Sequence, residues 1–276
     1  MPTEPATRGT PAPRDGLILV HAHPDDETMS TGGLIARSVA EGRRVDLVTC
    51  TGGEEGEIHD PTLDPEEARP RLRAIRRAEL DCSVRALAGG AANGGAANGG
   101  SLNLHLLGYR DSGMMGTPAN DRADVFWRAD LDEAVGKVVK IIRETRPAVL
   151  VTYDSNGNYG HPDHVQVHRV GVRAAQLAGV REVYEATMNR DEVQRALQRD
   201  YPPLLRDAGV GGTVLIWALI DEQGSVMKTQ VKVGSGHDAL DAAAQKIGAI
   251  MKFTPALNRD QKVKVWIQLP IVFKTQ

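Results

Sequence analysis

Residues 17–20, Leu17-Ile18-Leu19-Val20, are four aliphatic side chains in a row, the pattern of a short strand covered on both faces. Polar residues follow without a gap, in His21-Ala22-His23-Pro24-Asp25-Asp26-Glu27. The same order, an apolar run and then a polar or glycine-rich loop, recurs at 45–49 before 51–57, at 102–106 before 108–113 and at 148–152 before 153–164. Helical periodicity fills the intervals. An amphipathic stretch runs from Thr31-Gly32-Gly33 to about Glu41, and residues 65–87, strong in Glu, Arg, Ala and Leu, read as one long helix. Leu131, Val135, Val138, Ile141 and Ile142 share one face of another, which ends near Arg146-Pro147. A further helix runs to about Ala178, and 182–187 is one more strand. This alternation predicts an α/β fold, a Rossmann-like, mostly parallel sheet with helices on both faces. In such sheets ligands bind outside the carboxyl ends of the strands. The loops 21–27, 51–57, 108–113 and 153–164 are therefore expected along one rim.

From about Tyr201 the pattern changes. Tyr201-Pro202-Pro203 opens a short helix, 214–220 is a strand, Asp221-Glu222-Gln223-Gly224 is a turn, and 226–233 alternates as the hairpin partner. Leu240, Ala243, Ala244, Ile247, Ile250 and Met251 line one side of a helix, and 262–273 is a last strand. These elements predict a small α+β unit with an antiparallel sheet, in which Trp217 is expected in the core. The expected organisation is a disordered tail over 1–15, an α/β domain over 16–190, a linker over 191–200 and the second unit over 201–276. Within the first domain, residues 89–100 repeat Ala-Ala-Asn-Gly-Gly and read as a flexible insert.

Composition narrows the partners. A net charge of −3 over 276 residues argues against nucleic acid or an anionic membrane surface. No apolar run approaches the roughly 20 residues of a membrane span, so membrane insertion is not expected. The first sixteen residues lack the apolar core of a secretory signal, and the two cysteines, Cys50 and Cys82, read as reduced core residues. A cytoplasmic protein is expected.

The chemistry concentrates in two clusters. His23, Asp25, Asp26 and Glu27 fall within five positions, a set costly to bury without a counter-charge. A divalent metal supplies one, and imidazole nitrogen with carboxylate oxygen suits zinc and its neighbours better than calcium or magnesium. The second cluster, His161-Pro162-Asp163-His164, repeats the His-Pro-Asp order, and the two are expected to meet around one metal ion. His21 is expected to pack at its strand end, and His59, His105 and His168 to be surface or structural. Glu54, Glu55 and Glu57 read equally as a solvated loop or as part of a site, and Arg76 competes with a plain solvated charge on an Arg-rich helix.

Ala22-His23-Pro24-Asp25-Asp26-Glu27, residues 51–57, Arg110-Asp111-Ser112-Gly113-Met114 and Tyr159-Gly160-His161-Pro162-Asp163-His164 together resemble the LmbE/PIG-L family of zinc-dependent N-deacetylases over about residues 16–190, most of all its mycothiol-pathway members. The resemblance implies His23, Asp26 and His164 as zinc ligands, with Fe2+ as a possible substitute. It implies Asp25 as general base and Tyr159 as a group that polarises the amide carbonyl. It implies that His161 orients Asp25 or stabilises developing charge, that Asp163 holds one of the histidines, and that Arg76 and Asp111 bind sugar and cyclitol hydroxyls. The expected reaction is removal of acetyl from an amino-sugar conjugate such as N-acetylglucosaminyl-inositol. The alternatives are an amidase of mycothiol S-conjugates and a non-catalytic interaction protein. Residues 201–276 resemble the carboxy-terminal domain of TonB, through Tyr201-Pro202-Pro203, Gly212-Thr213-Val214, Asp221-Glu222-Gln223-Gly224 and Thr254-Pro255-Ala256. That resemblance implies a unit for a protein partner or self-association, standing where the deacetylases carry a carboxy-terminal portion that helps close the substrate pocket.

Overall fold

The computed structural model describes residues 14–58, 60, 62–89, 99–187, 190–253, 256–258 and 261–274. Residues 1–13 of the expected tail, His59 and most of the expected insert lie outside the described residues. Strand β1 (Leu17–His21) is buried along its whole length because it has a partner on each side. It pairs in parallel with β2 (Arg44–Thr51) on one side and with β4 (Val149–Tyr153) on the other. Strand β3 (Ser101–Tyr109) extends the sheet beyond β2 and β5 (Glu182–Ala186) beyond β4, giving the order β3-β2-β1-β4-β5, all parallel. The expected parallel sheet is therefore present.

Alternation along β1 divides the core into two layers. Leu17 and Leu19 join Ile35 and Val39 of α1 (Asp26–Ala40) and Leu80 of α3 (Leu72–Leu87). Ile18 and Val20 join Val135 and Val138 of α4 (Leu131–Thr145) and Val167 and Val170 of α5 (Pro162–Ala178) on the opposite face.

Several boundaries differ from expectation. Helix α1 starts at Asp26, five positions before Thr31, so Thr31-Gly32-Gly33 lies inside it. The long helix expected over 65–87 is broken into α2 (Pro65–Ala68), a 3-10 turn at Arg69–Arg71 and α3. Pro70 sits at the start of that turn and has no N–H to continue a helix ladder. Residues expected as a linker form α6 (Arg190–Asp200), whose Ala196 packs with Tyr201 in the second core. Cys50 is buried as expected, but Cys82 is exposed on α3; neither is in a disulfide.

The second unit holds α7 (Pro203–Asp207) and an antiparallel sheet in the order β10-β6-β7, made of β6 (Gly212–Ile220), β7 (Val226–Val233) and β10 (Val265–Phe273). Helix α8 (Asp238–Ala249) covers one face, where Val214 and Ile216 meet Leu240, Ala244 and Ile247. The last strand expected over 262–273 is two: β9 (Gln261–Val263) pairs with β8 (Ala256–Asn258), and β10 pairs with β6. Trp217 corrects another expectation. It alternates with the buried Ile216 and Ala218, so it lies on the sheet face away from α8, with Lys232 Nζ 5.3 Å from its ring centre. Among the described residues no helix is long and apolar enough to cross a membrane.

Candidate metal centre and active site

The chain turns one way from β1 through β2 to β3 and the other way to β4, so the crevice between β1 and β4 is the topological switch point of the sheet. The His23–Glu27 segment leaves β1 there, and the segment leading into α5 leaves β4. Pro162 opens α5 with the cap residue His161 before it, whose Nδ1 accepts from Asp163 N at 3.2 Å. His164 thus stands in the first turn of a helix, where the sequence had suggested a loop. Gly157 lets the preceding loop close on that turn: its φ is +64°, and a Cβ there would come within 2.5 Å of Val165 N.

The two clusters meet. His23 Nδ1 lies 3.2 Å from Asp26 Oδ2, and His164 Nε2 lies 3.4 Å from the same oxygen. The two ring nitrogens are 3.4 Å apart. Ligands arranged tetrahedrally about 2.0–2.1 Å from a zinc ion are roughly 3.3 Å from one another, so this triangle has the size of three corners of such a site. Two wider groupings share His23, one with His161 and His164 and one with Asp111 and Asp163; their donor atoms fall within 4.8 Å. The first triangle is the tighter fit to a single small ion.

The other nitrogen of His23 is already committed. His23 Nε2 is 3.2 Å from Asp163 Oδ2 and 3.4 Å from Asp111 Oδ1, an arrangement that leaves Nδ1 to face a metal. Asp163 is fully buried and accepts from Ser112 N at 2.9 Å and from Ser112 Oγ. Tyr153 stacks on His164 with ring centres 4.3 Å apart. His21, as expected, is structural: it bonds Tyr153 Oη and Thr31 Oγ1, each at 2.9 Å, and burial lowers its pKa to about 4.

Asp25 holds a strained backbone, with φ of 108° in a non-glycine residue. The fully buried Glu27 supports it, accepting from Asp25 N at 2.9 Å while taking Thr28 Oγ1 at 2.8 Å and Ser83 Oγ at 2.6 Å. Arg76 fixes the side chain, at 2.6 Å from Asp25 Oδ2, and also donates to Pro24 O and Gly53 O. Only 14 % of the Arg76 side chain is exposed. Arg76, expected to bind sugar, braces the loop after β1 against the loop after β2. Asp111, likewise expected at the sugar, is buried and accepts from Gly113 N at 2.8 Å and Glu55 N at 3.2 Å.

The charges are strongly coupled. Surrounding protein and the like charge of Asp26 push Asp25 up to about 7, with Arg76 opposing them, although 57% of the Asp25 side chain is exposed. Burial works against charge on His23, yet Asp111, Asp163 and Asp26 raise its pKa well above the ordinary imidazole value. Burial likewise opposes charge on Asp26, and His164 and His23 still hold it well below the usual carboxylate range. Burial and the neighbouring His23 and His164 keep His161 neutral. Crowding by protein and the charge of Asp26 raise Tyr159, whose ring stands edge-on to His164 at 4.9 Å at the mouth of the site.

Ser112 and Tyr153 support this site and were not singled out from the sequence, and Glu27, counted in the first cluster, was given no role there. Glu27 and Ser112 lie within the motifs, but only the fold shows what they hold. Of the acidic loop, Glu54 accepts from Asp111 N at 3.0 Å and pairs with Arg73, Glu55 pairs with Arg110, and Glu57 meets Lys232 and Gln268 of the second unit. His105 bonds Asp46 and His168 bonds Tyr153 O, both structural as expected.

Known proteins resemble the chain in two separate stretches. The sequence model of GlcNAc-PI de-N-acetylases (PIG-L) matches residues 18–175, and that of the Gram-negative bacterial TonB protein C-terminal region matches 198–275. A 1D-myo-inositol 2-acetamido-2-deoxy-alpha-D-glucopyranoside deacetylase 1 of Catenulispora acidiphila is 52% identical over 179 residues, 64% of this chain and 53% of its own. The corresponding deacetylase of Geodermatophilus obscurus is 53% identical over 171 residues, 61% of this chain and 55% of its own. The chain thus spans about half the length of the curated relatives it matches. Among solved structures, N,N'-diacetylchitobiose deacetylase from Pyrococcus horikoshii aligns with a TM-score of 0.43 at 23% identity, covering 59% of this chain and 50% of that one. The family match runs over more than half of the sequence and through both clusters: the chain belongs to the PIG-L family of GlcNAc-PI de-N-acetylases.

Proposed function

We propose that the chain is a metal-dependent N-deacetylase that releases acetate from an N-acetylated amino-sugar conjugate, N-acetylglucosaminyl-inositol being the substrate in its relatives' names. The observation that carries this reading is the triangle of His23 Nδ1, Asp26 Oδ2 and His164 Nε2 with Asp25 beside it. These three residues would hold zinc, or Fe2+ in its place. Such an ion acts as a Lewis acid and lowers the pKa of water to about 7.

The remaining chemistry falls to the chain. Asp25, held by Arg76 and Glu27, takes the proton of the attacking water as its oxygen bonds to the acetamide carbon. The Tyr159 hydroxyl keeps its proton and donates to the carbonyl oxygen as negative charge gathers there. His161 can assist: its Nδ1 accepts from Asp163 N, so the neutral ring carries hydrogen on Nε2. When the C–N bond breaks, Asp25 returns its proton to the amine, and acetate and a free amino sugar leave. Asp163 and Asp111 hold the His23 ring with Nδ1 toward the metal side. We read residues 16–190 as the catalytic domain and 201–276 as a second unit entered through α6; the two free cysteines suit a cytoplasmic setting.

The test is elemental analysis of the purified protein together with acetate release from N-acetylglucosaminyl-inositol. The expected result is about one metal per chain with turnover that a chelator abolishes. Absence of bound metal after exposure to zinc would overturn the site itself.

A further inference from the structure

The sheet face turned away from α8 meets the rim of the α/β domain. Lys232 on β7 forms an ion pair with Glu57, and Gln268 Nε2 on β10 donates to the same carboxylate at 3.3 Å. Trp217 on β6 pairs in register with Gln268, and its ring lies under Lys232 Nζ at 5.3 Å. Strands β7 and β10 of the second unit thus deliver one ammonium and one amide to a single carboxylate, and β6 sets an indole ring beside the ammonium.

Glu57 belongs to the loop that leaves β2 on the catalytic rim. That loop touches the chemistry at two points. Arg76 joins Gly53 O to Asp25, and Glu55 N donates to Asp111, whose other oxygen is 3.4 Å from His23 Nε2. Meanwhile Glu57 keeps 54% of its side chain exposed and Lys232 keeps 24%, so the pair is reachable from solvent.

We propose that Trp217, Lys232 and Gln268, together with Glu57, form a subsite for the uncharged polyol portion of the amino-sugar conjugate. The proposal rests on the deacetylase reading above. Its chemistry follows from the groups present. An ammonium offers donors only, a carboxylate acceptors only, and an amide both, whereas a hydroxyl donates and accepts and can bridge all three. The ion pair is neutral overall, so a phosphate would meet Glu57 and an amine would meet Lys232, each at a cost. An indole face presents a flat apolar surface to the C–H face of a cyclitol or pyranose ring. The second unit is thereby a wall of the substrate cleft, contributed by a sequence that matches a different family.

The test uses the full-length, metal-loaded protein. In Lys232→Ala and Gln268→Ala, the ratio of kcat/KM for N-acetylglucosaminyl-inositol over N-acetylglucosamine is expected to fall about tenfold, mostly through KM for the conjugate, with metal content unchanged. Equal losses on both substrates, or no change in the ratio, would overturn the subsite. A second readout is independent of turnover. The indole N–H resonance of Trp217, assigned with Trp217→Phe, is expected to shift with millimolar myo-inositol and to stop shifting in Lys232→Ala. A resonance that stays still in the wild-type protein overturns the proposal even if the protein deacetylates sugars. A resonance that shifts in a protein that releases no acetate keeps the subsite and removes the deacetylase reading.

Discussion

At the scale of single residues, the site is a strained loop held by buried charge. Asp25 sits at φ 108°, a conformation that costs an L side chain on the order of 1–3 kcal/mol and costs glycine far less. Two substitutions separate the chemistry of this residue from its strain. Asp25→Ala is expected to keep the metal and lose about 10²–10⁴-fold in kcat, the usual worth of a general base. Asp25→Gly should be equally inactive yet more stable than Asp25→Ala by about 1 kcal/mol, measured by chemical denaturation. Full activity in either variant would remove Asp25 from the base role. The choice of His23, Asp26 and His164 as ligands came from the family resemblance, whereas the meeting of the two clusters was legible in the sequence, because short motifs after strands bring their donors to one rim. The setting of Asp25, Arg76 and Glu27 was not: the φ value, the arginine brace and the buried glutamate depend on α3 packing behind the loop.

At the scale of elements, strand and helix positions followed from hydrophobic period, whereas helix starts and breaks depended on local hydrogen bonding. Pro70 shows this, ending a helix that Glu, Arg, Ala and Leu content alone would have continued. The junction of β4 and α5 is the element that places His164, and Gly157 sets its closeness. Gly157→Ala would put a Cβ against Val165 N and His164 at positive φ, displacing the first turn of α5. Zinc affinity, measured by competition with a chromophoric chelator, should drop at least about tenfold, as loss of a group that orients a ligand does. The β2–β3 pair carries a separate charge device. Burial opposes ionisation of Asp46, but hydrogen bonds from His105 and Arg44 outweigh it and hold its pKa below the ordinary 3.8. A group depressed on folding stabilises above its unfolded pKa and loses that contribution as pH falls through the folded value. Asp46→Asn should therefore lower Tm at pH 7, and its gap to the wild type should close as pH drops below about 4. A gap that persists unchanged at pH 3 would show that packing, not charge, is what Asp46 supplies.

At the scale of the whole molecule, the apolar clusters divide cleanly among the described residues. Two flank the parallel sheet and two lie in the carboxy-terminal unit, and none of the four mixes residues of both. The side-chain contacts described between the units are polar, Lys232 and Gln268 at Glu57, and β8 also runs alongside α1. Exposed ion pairs add little to stability, so the units should unfold as separate cooperative blocks joined by a weak contact. Under the proposed reading metal would bind one block only, through His23, Asp26 and His164, which the other does not supply. Zinc at 100 times its Kd should stabilise the α/β block by about 2.7 kcal/mol and leave the second block unchanged. Calorimetry should then show two transitions, of which zinc raises one. His164→Ala should abolish that shift while both transitions remain. A single transition that moves as a whole with zinc would mean that the contact at Glu57 couples the blocks strongly. The second unit would then be part of the fold of the catalytic domain as well as a wall of its cleft.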